Sequence, residues 1–162
     1  MAGISPAFKE TSWAGVDFIN ATASNMSTEW VAGGMVSSPA DLLKFAIALR
    51  DGKLLSPSSL AFMRTWKPVS GDAYRIGHNI MQWRNPYGVW LGHNGSVLGF
   101  TGTLWWLDQD AESDSESNAT TDCAVCVLAN VGTMHTSTMH AGAQAVMETN
   151  FLDLAKKLSN LA

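Results

Sequence analysis

Cationic clusters, long apolar runs and cysteines are all scarce in this 162-residue chain. Its ten lysines and arginines form no basic patch, so the electrostatic footprint of a nucleic-acid binder is missing. No apolar stretch is long enough to cross a bilayer as a helix, and no transmembrane segment is expected. The first residues hold neither a basic region nor the apolar core of a secretory leader, so the chain as it stands reads without a signal peptide. The only cysteines are Cys123 and Cys126, spaced like a redox or zinc half-site. They fall in a run that reads as a strand, Cys-Ala-Val-Cys-Val-Leu-Ala. Residues three apart on a strand point to opposite faces, so the two sulfurs cannot share a metal. No second cysteine pair completes a site. Structural cysteines are expected, with no metal and no cofactor.

What is present suits a globular domain. Apolar residues make up 46% of the chain, enough for a core. The net charge is −4, and six of the fourteen acids lie between Asp108 and Asp122. That segment has no glycine or glutamate at calcium-loop positions, so it reads as a solvated hairpin tip. Four glycosylation sequons begin at Asn20, Asn25, Asn94 and Asn118, a number a chain this rich in serine and threonine carries by chance.

The stretch Gly92-His93-Asn94-Gly95-Ser96-Val97-Leu98-Gly99-Phe100-Thr101-Gly102 stands out. Glycines this dense in a strand-like run mean either a turn feeding a core strand or a close approach by a ligand or another segment. Composition alone leaves the two open.

The remaining elements can be placed in order. Residues 1–30 show no clean period and read as a poorly defined loop with one short helix at most. Ala32-Gly33-Gly34-Met35-Val36 reads as a glycine hinge. Ser38-Pro39-Ala40-Asp41 is a strong helix start, with Ser38 as N-cap, and predicts a helix to about Arg50 that buries Leu42, Phe45, Ala46 and Leu49. Asp51-Gly52 ends it. A second helix starts at Ser56-Pro57 and runs to about Trp66, with Leu60 and Met63 inward and Pro68 as its stop. Strands are expected from Tyr74 to about Trp83, from Val89 into the glycine stretch, from Thr101 to Leu107 with both faces covered, and from Ala124 to Ala129. His78 would sit mid-strand. A last helix over residues 136–161 carries Met147, Phe151, Leu154, Leu158 and Leu161 on one stripe. His135 and His140 lie five apart, the wrong spacing for a zinc pair on a helix. The predicted fold is α/β in α+β layers: an antiparallel sheet with a long C-terminal helix packed on it.

Three motifs in this order carry a resemblance. Ala32 to Phe45 (AGGMVSSPADLLKF), then Asp51-Gly52-Lys53-Leu54-Leu55-Ser56-Pro57, then Gly92-His93-Asn94-Gly95 with Gly99-Phe100, resemble the C-terminal part of the serine β-lactamase and penicillin-binding-protein-like family, closest to its class C-like branch. That branch holds β-lactamases, D-Ala-D-Ala carboxypeptidases and related esterases. The resemblance runs from about Ala32 to the C-terminus and implies a partial β-lactamase/transpeptidase-like fold over residues 31–162.

In such proteins the site is shared by Ser-x-x-Lys, Tyr-x-Asn and a Lys-Thr-Gly strand often replaced by His-x-Gly. His93-Asn94-Gly95 stands at the third position. The resemblance implies that His93 orients substrate and stabilises charge, that Asn94 and Gly95 line the substrate, and that the Ser96 backbone N–H is one oxyanion-hole donor. A histidine there, unlike a lysine, is not a fixed cation at neutral pH, which favours esterase or peptidase over penicillinase.

The departure is as plain. No Ser-x-x-Lys occurs, since Ser5 is four residues from Lys9, and neither Tyr74 nor Tyr87 begins a Tyr-x-Asn. The expected protein is therefore the C-terminal portion of a serine acyl hydrolase, inactive alone, acting on a small ester, amide or β-lactam together with an N-terminal portion or partner chain. The family resemblance places such proteins in the periplasm or outside the cell. The alternatives are a non-catalytic β-lactamase-like binding or structural module and, more remotely, a small thiol-redox or zinc protein.

Overall fold

The computed structural model describes residues 10–13, 16–19, 25, 27, 29–70, 74–85, 88–97, 99–108, 110 and 123–130. The helix expected over residues 136–161, the two histidines at its start and the body of the acidic loop lie outside the described residues.

The first elements are a small antiparallel hairpin, β1 (Glu10–Trp13) and β2 (Val16–Ile19), where the sequence reads as loop. A single helical turn, α1 (Trp30–Gly33), follows, with Gly34 as its C-cap. Both glycines are closely packed in this structure. A Cβ on Gly33 would come within 2.7 Å of Val97 Cγ1, and one on Gly34 within 2.5 Å of the Trp30 carbonyl oxygen.

The helix α2 (Pro39–Arg50) forms where its local signals place it. The Ser38 side chain accepts the Asp41 N–H at 3.2 Å, which satisfies one otherwise orphaned helix donor. Asp41 in turn holds Lys44 at 3.0 Å. Ala46 and Leu49 are buried as expected, but Phe45 is 50% exposed, because the contact stripe of this helix is narrower than the sequence pattern suggests. The next helix, α3 (Pro57–Met63), starts at the Ser56 cap and stops before Trp66. The Met63 carbonyl accepts the His78 N–H at 2.9 Å, so the last turn closes onto a neighbouring turn instead of continuing.

Six strands follow as an antiparallel meander in the order β3-β4-β5-β6-β7-β8. They are β3 (Lys67–Ser70), β4 (Tyr74–Ile76), β5 (Met81–Asn85), β6 (Gly88–Val97), β7 (Phe100–Leu107) and β8 (Ala124–Ala129). Two departures from expectation share this region. Pro68 lies within β3, an edge strand, where a missing N–H leaves no ladder bond unmade if it faces outward. The expected strand from Tyr74 to Trp83 is two strands joined by a tight turn, with His78 in the turn rather than mid-strand. Asn79 there has φ of 58°, and a Cβ on Gly77 would meet the Met63 carbonyl at 2.1 Å. His78 stacks on Phe62 at a centroid distance of 4.0 Å.

The two faces of the sheet carry separate clusters. On one, Leu91 and Trp106 pack with Ala46, Leu49 and Ile80 under α2, flanked by Leu60 and Met63 of α3. On the other, Trp90 and Trp105 pack with Tyr74, Trp83, Val125 and Val127. The helices thus precede the sheet in sequence and lie on one of its faces, an α+β layering. Burying a side chain the size of Leu91, fully covered here, stabilises by roughly 1.5–3 kcal/mol. Cys123 packs with the Trp90 cluster, whereas Cys126 pairs with Leu104 on the helix face, so both thiols are unbridged and on opposite faces. Burial pushes the Cys126 thiol up from its ordinary value. Among the described residues no helix is long and apolar enough to cross a membrane.

Candidate active site

The hairpin β6–β7 decides what each residue of the glycine stretch faces. Val97 pairs with Phe100 across a two-residue connection, and the register runs back through Ser96 with Thr101, Gly95 with Gly102, Asn94 with Thr103, His93 with Leu104 and Gly92 with Trp105. Paired residues share a face. His93 and Gly95 therefore lie on the helix side with Leu104, and Asn94 and Ser96 on the opposite side with Thr103 and Thr101. The Asp108 N–H donates to the Val89 carbonyl at 2.8 Å, which fixes the phase of the ladder. Odd-numbered residues of β6 direct their backbone groups to β7, and even-numbered ones to β5.

The β5 ladder ends at the pair Met81–Gly92. Among the described residues, β6 pairs with β7 alone from His93 to Val97. The N–H and C=O of Asn94 and Ser96 are thus directed to the side where β5 has stopped.

The glycines sort by cause. Gly92 is a packing glycine: a Cβ would lie 2.1 Å from the Leu104 carbonyl oxygen and 2.8 Å from Trp105 Cα. Gly99 has φ of 80°, the left-handed conformation of the turn. Gly95 has neither reason, for its φ is not positive and a Cβ would meet nothing within 4 Å. The space beside it is open, on the same face as the exposed His93 ring.

The His93 ring is oriented by its own strand. Nδ1 lies 2.5 Å from the Asn94 carbonyl oxygen. A carbonyl only accepts, so Nδ1 carries the proton, and a neutral ring presents Nε2 as an acceptor. The Asn94 side chain is held on the other face. Its Oδ1 accepts Thr103 Oγ1–H at 2.7 Å and Trp105 Nε1–H at 3.0 Å. Since indole N–H only donates, the atom facing Trp105 is the amide oxygen, which settles the flip. Asn94 thus meets the His93 face through its backbone and not through its amide. Thr103 and Trp105 were not singled out as site residues by the sequence, although centring the hairpin on residues 98–99 pairs position 94 with 103.

Of the four candidate residues, the structure brings His93 and Gly95 together on one open face and places Asn94 and Ser96 at the adjoining strand edge. Among the described residues, no group of three or more histidine, cysteine, aspartate or glutamate side chains is placed to hold a metal ion.

A family model described as Beta-lactamase matches residues 5–147. The chain belongs to the Beta-lactamase family. The match begins upstream of Ala32, so the family likeness takes in residues before the glycine pair that motif reading alone had left out. As a β-lactamase-family, penicillin-binding-protein-like chain it carries a serine-hydrolase-type fold. Its antiparallel meander with capped helices on one face is a part of that fold.

Proposed function

We propose that this chain supplies the His-x-Gly strand of a serine acyl hydrolase of β-lactamase, D-Ala-D-Ala carboxypeptidase or esterase type, as the C-terminal portion of its catalytic domain. The observation that carries the reading is the open space over Gly95 beside the exposed His93 ring, at the point where β5 leaves the edge of β6. Acyl substrate would lie against this edge. The attacking serine adds to the acyl carbonyl, and the negative charge that develops on the carbonyl oxygen meets the Ser96 N–H as one donor and the nucleophile's own amide as the other. A donor of this kind stabilises the transition state by about 3–4 kcal/mol. His93 offers Nε2 as an acceptor for the proton of a hydroxyl at the same face.

The nucleophile belongs to a Ser-x-x-Lys and its helper to a Tyr-x-Asn, neither of which these residues contain. They come in this reading from another segment or chain, because serine or threonine without an adjacent base is a weak nucleophile. Labelling with a fluorescent penicillin and a chromogenic ester tests it. The 162-residue chain alone is expected to give neither a labelled band nor ester turnover, and addition of a segment bearing both motifs to give at least one. Labelling of the isolated chain would contradict the assignment. The absence of both motifs also supports a second reading, a non-catalytic β-lactamase-like module, and an upstream sequence with a damaged Ser-x-x-Lys would favour it.

A further inference from the structure

Asn94-Gly95 is a chemically labile pair held in a closed arrangement. Of the nine asparagines in the chain, Asn94 alone is followed by glycine. The amide carbon of an asparagine is open to attack by the backbone nitrogen of the next residue, and glycine, without a Cβ, leaves that nitrogen least shielded and the backbone freest to turn. Two sets of bonds oppose the attack here. Gly95 pairs with Gly102, and the phase of the ladder directs its N–H to the Gly102 carbonyl, so the attacking nitrogen is engaged with β7. The amide that would be attacked is fastened on the face of the sheet, where its Oδ1 accepts Thr103 Oγ1–H at 2.7 Å and Trp105 Nε1–H at 3.0 Å. Both donors come from almost fully buried residues, Thr103 and Trp105 being 2% and 1% exposed.

We propose that Asn94 is a latent deamidation site that the β6–β7 hairpin keeps shut, and that modification there requires the hairpin to open. On opening, the Gly95 nitrogen gives up its proton and adds to Asn94 Cγ. The Cγ–Nδ2 bond breaks, the amide nitrogen leaves with that proton as ammonia, and a five-membered succinimide closes. Water then opens the ring at either carbonyl and leaves aspartate or isoaspartate, with no electron transfer. Isoaspartate carries the main chain through Cβ and Cγ. That adds one atom between positions 94 and 95 and breaks the register that pairs His93 with Leu104 and Gly95 with Gly102. The reaction is internal to the chain and independent of the hydrolase reading.

Peptide mapping by mass spectrometry tests it, on the full chain incubated at neutral pH well below its unfolding midpoint and, in parallel, in concentrated guanidinium chloride. In denaturant, Asn94 is expected to deamidate fastest of the nine asparagines. In the folded chain its rate is expected to fall at least about tenfold, the factor set by a hairpin-opening free energy of about 1.4 kcal/mol. Thr103→Val, near-isosteric but without the hydroxyl, is expected to quicken deamidation of the folded chain several-fold and to leave the rate in denaturant unchanged. Thr103→Ser, which keeps the hydroxyl, is expected to retain the wild-type rate. Equal rates at Asn94 in the folded and the unfolded wild type would overturn the proposal, as would a faster site elsewhere in denaturant. So would a folded Thr103→Val protein that deamidates at the wild-type rate.

Discussion

Adding one methyl group at Gly95 and one at Gly92 separates a glycine beside open space, proposed to face substrate, from a packing one. The two positions lie on the same strand, three residues apart. At Gly95 the new Cβ meets nothing within 4 Å and the backbone is already in a region any residue adopts. Replacing glycine where the conformation is compatible stabilises by about 0.4–1 kcal/mol, through the unfolded chain. At Gly92 the new Cβ would sit 2.1 Å from the Leu104 carbonyl oxygen, a backbone atom of the paired strand, so the ladder has to shift. Overpacking of that kind costs about 1–3 kcal/mol or more. At about 2–4 °C per kcal/mol for a chain of this size, Gly92→Ala is expected to lower Tm by several degrees, and Gly95→Ala to leave it level or slightly raised. Thermal unfolding followed by circular dichroism reads this directly. The functional half follows from the same geometry: in the proposed hydrolase, Gly95→Ala, and more so Gly95→Val, should slow acylation about tenfold or more while the fold holds. A Gly95→Ala protein as unstable as Gly92→Ala would show that the open space does not exist. A stable Gly95→Val protein with undiminished acylation would show that no substrate uses it.

Other expectations concern the frame. Leu91→Ala, which empties a fully buried position between the sheet and α2, should cost about 2–5 kcal/mol in denaturant unfolding. Ser38→Ala removes the cap of α2 and should cost about 1 kcal/mol by the same measurement, with Ser38→Thr, which keeps the hydroxyl, close to neutral. Two carboxylates should respond to acid in opposite senses. The hydrogen bond from Lys44, and then that from Ser38, hold Asp41 below its ordinary value, so its stabilising contribution is present above the usual carboxylate range and lost as pH falls through the lowered value. Burial pushes Asp108 up, against the attraction of Arg64 at 3.3 Å, so its charge weighs on the fold as pH rises through the raised value. Unfolding midpoints between neutral and acid pH should therefore fall less steeply in Asp41→Asn than in wild type, and more steeply in Asp108→Asn.

The parts of the fold that were legible in the sequence are those specified locally. Ser38-Pro39 and Ser56-Pro57 supply cap and first-turn proline together, and both helices start there. Ala124 to Ala129 is bounded by polar residues and forms a strand over that span. The end of α3 was not legible, because it is set by a long-range bond from His78 to the Met63 carbonyl. The turn that divides the expected strand from Tyr74 to Trp83 had a local signal, Gly77-His78-Asn79, in which asparagine readily takes a positive φ. That signal was outweighed by the flanking apolar residues. At the site, the glycine-histidine run was visible but its glycines were not distinguishable, since a packing glycine and one beside open space differ only in what lies above them. The partners of Asn94 follow from register, which a two-residue turn fixes once it is placed at 98–99.

The most direct measurement is the turnover of a chromogenic ester by the proposed hydrolase assembled with this chain, with and without His93→Ala. The expected result is a fall in kcat of about a hundredfold or more, within the range that a positioned acid–base group contributes, at an unchanged unfolding temperature. Equal turnover by a correctly folded His93→Ala protein would contradict the assignment of this strand to an acyl-transfer site.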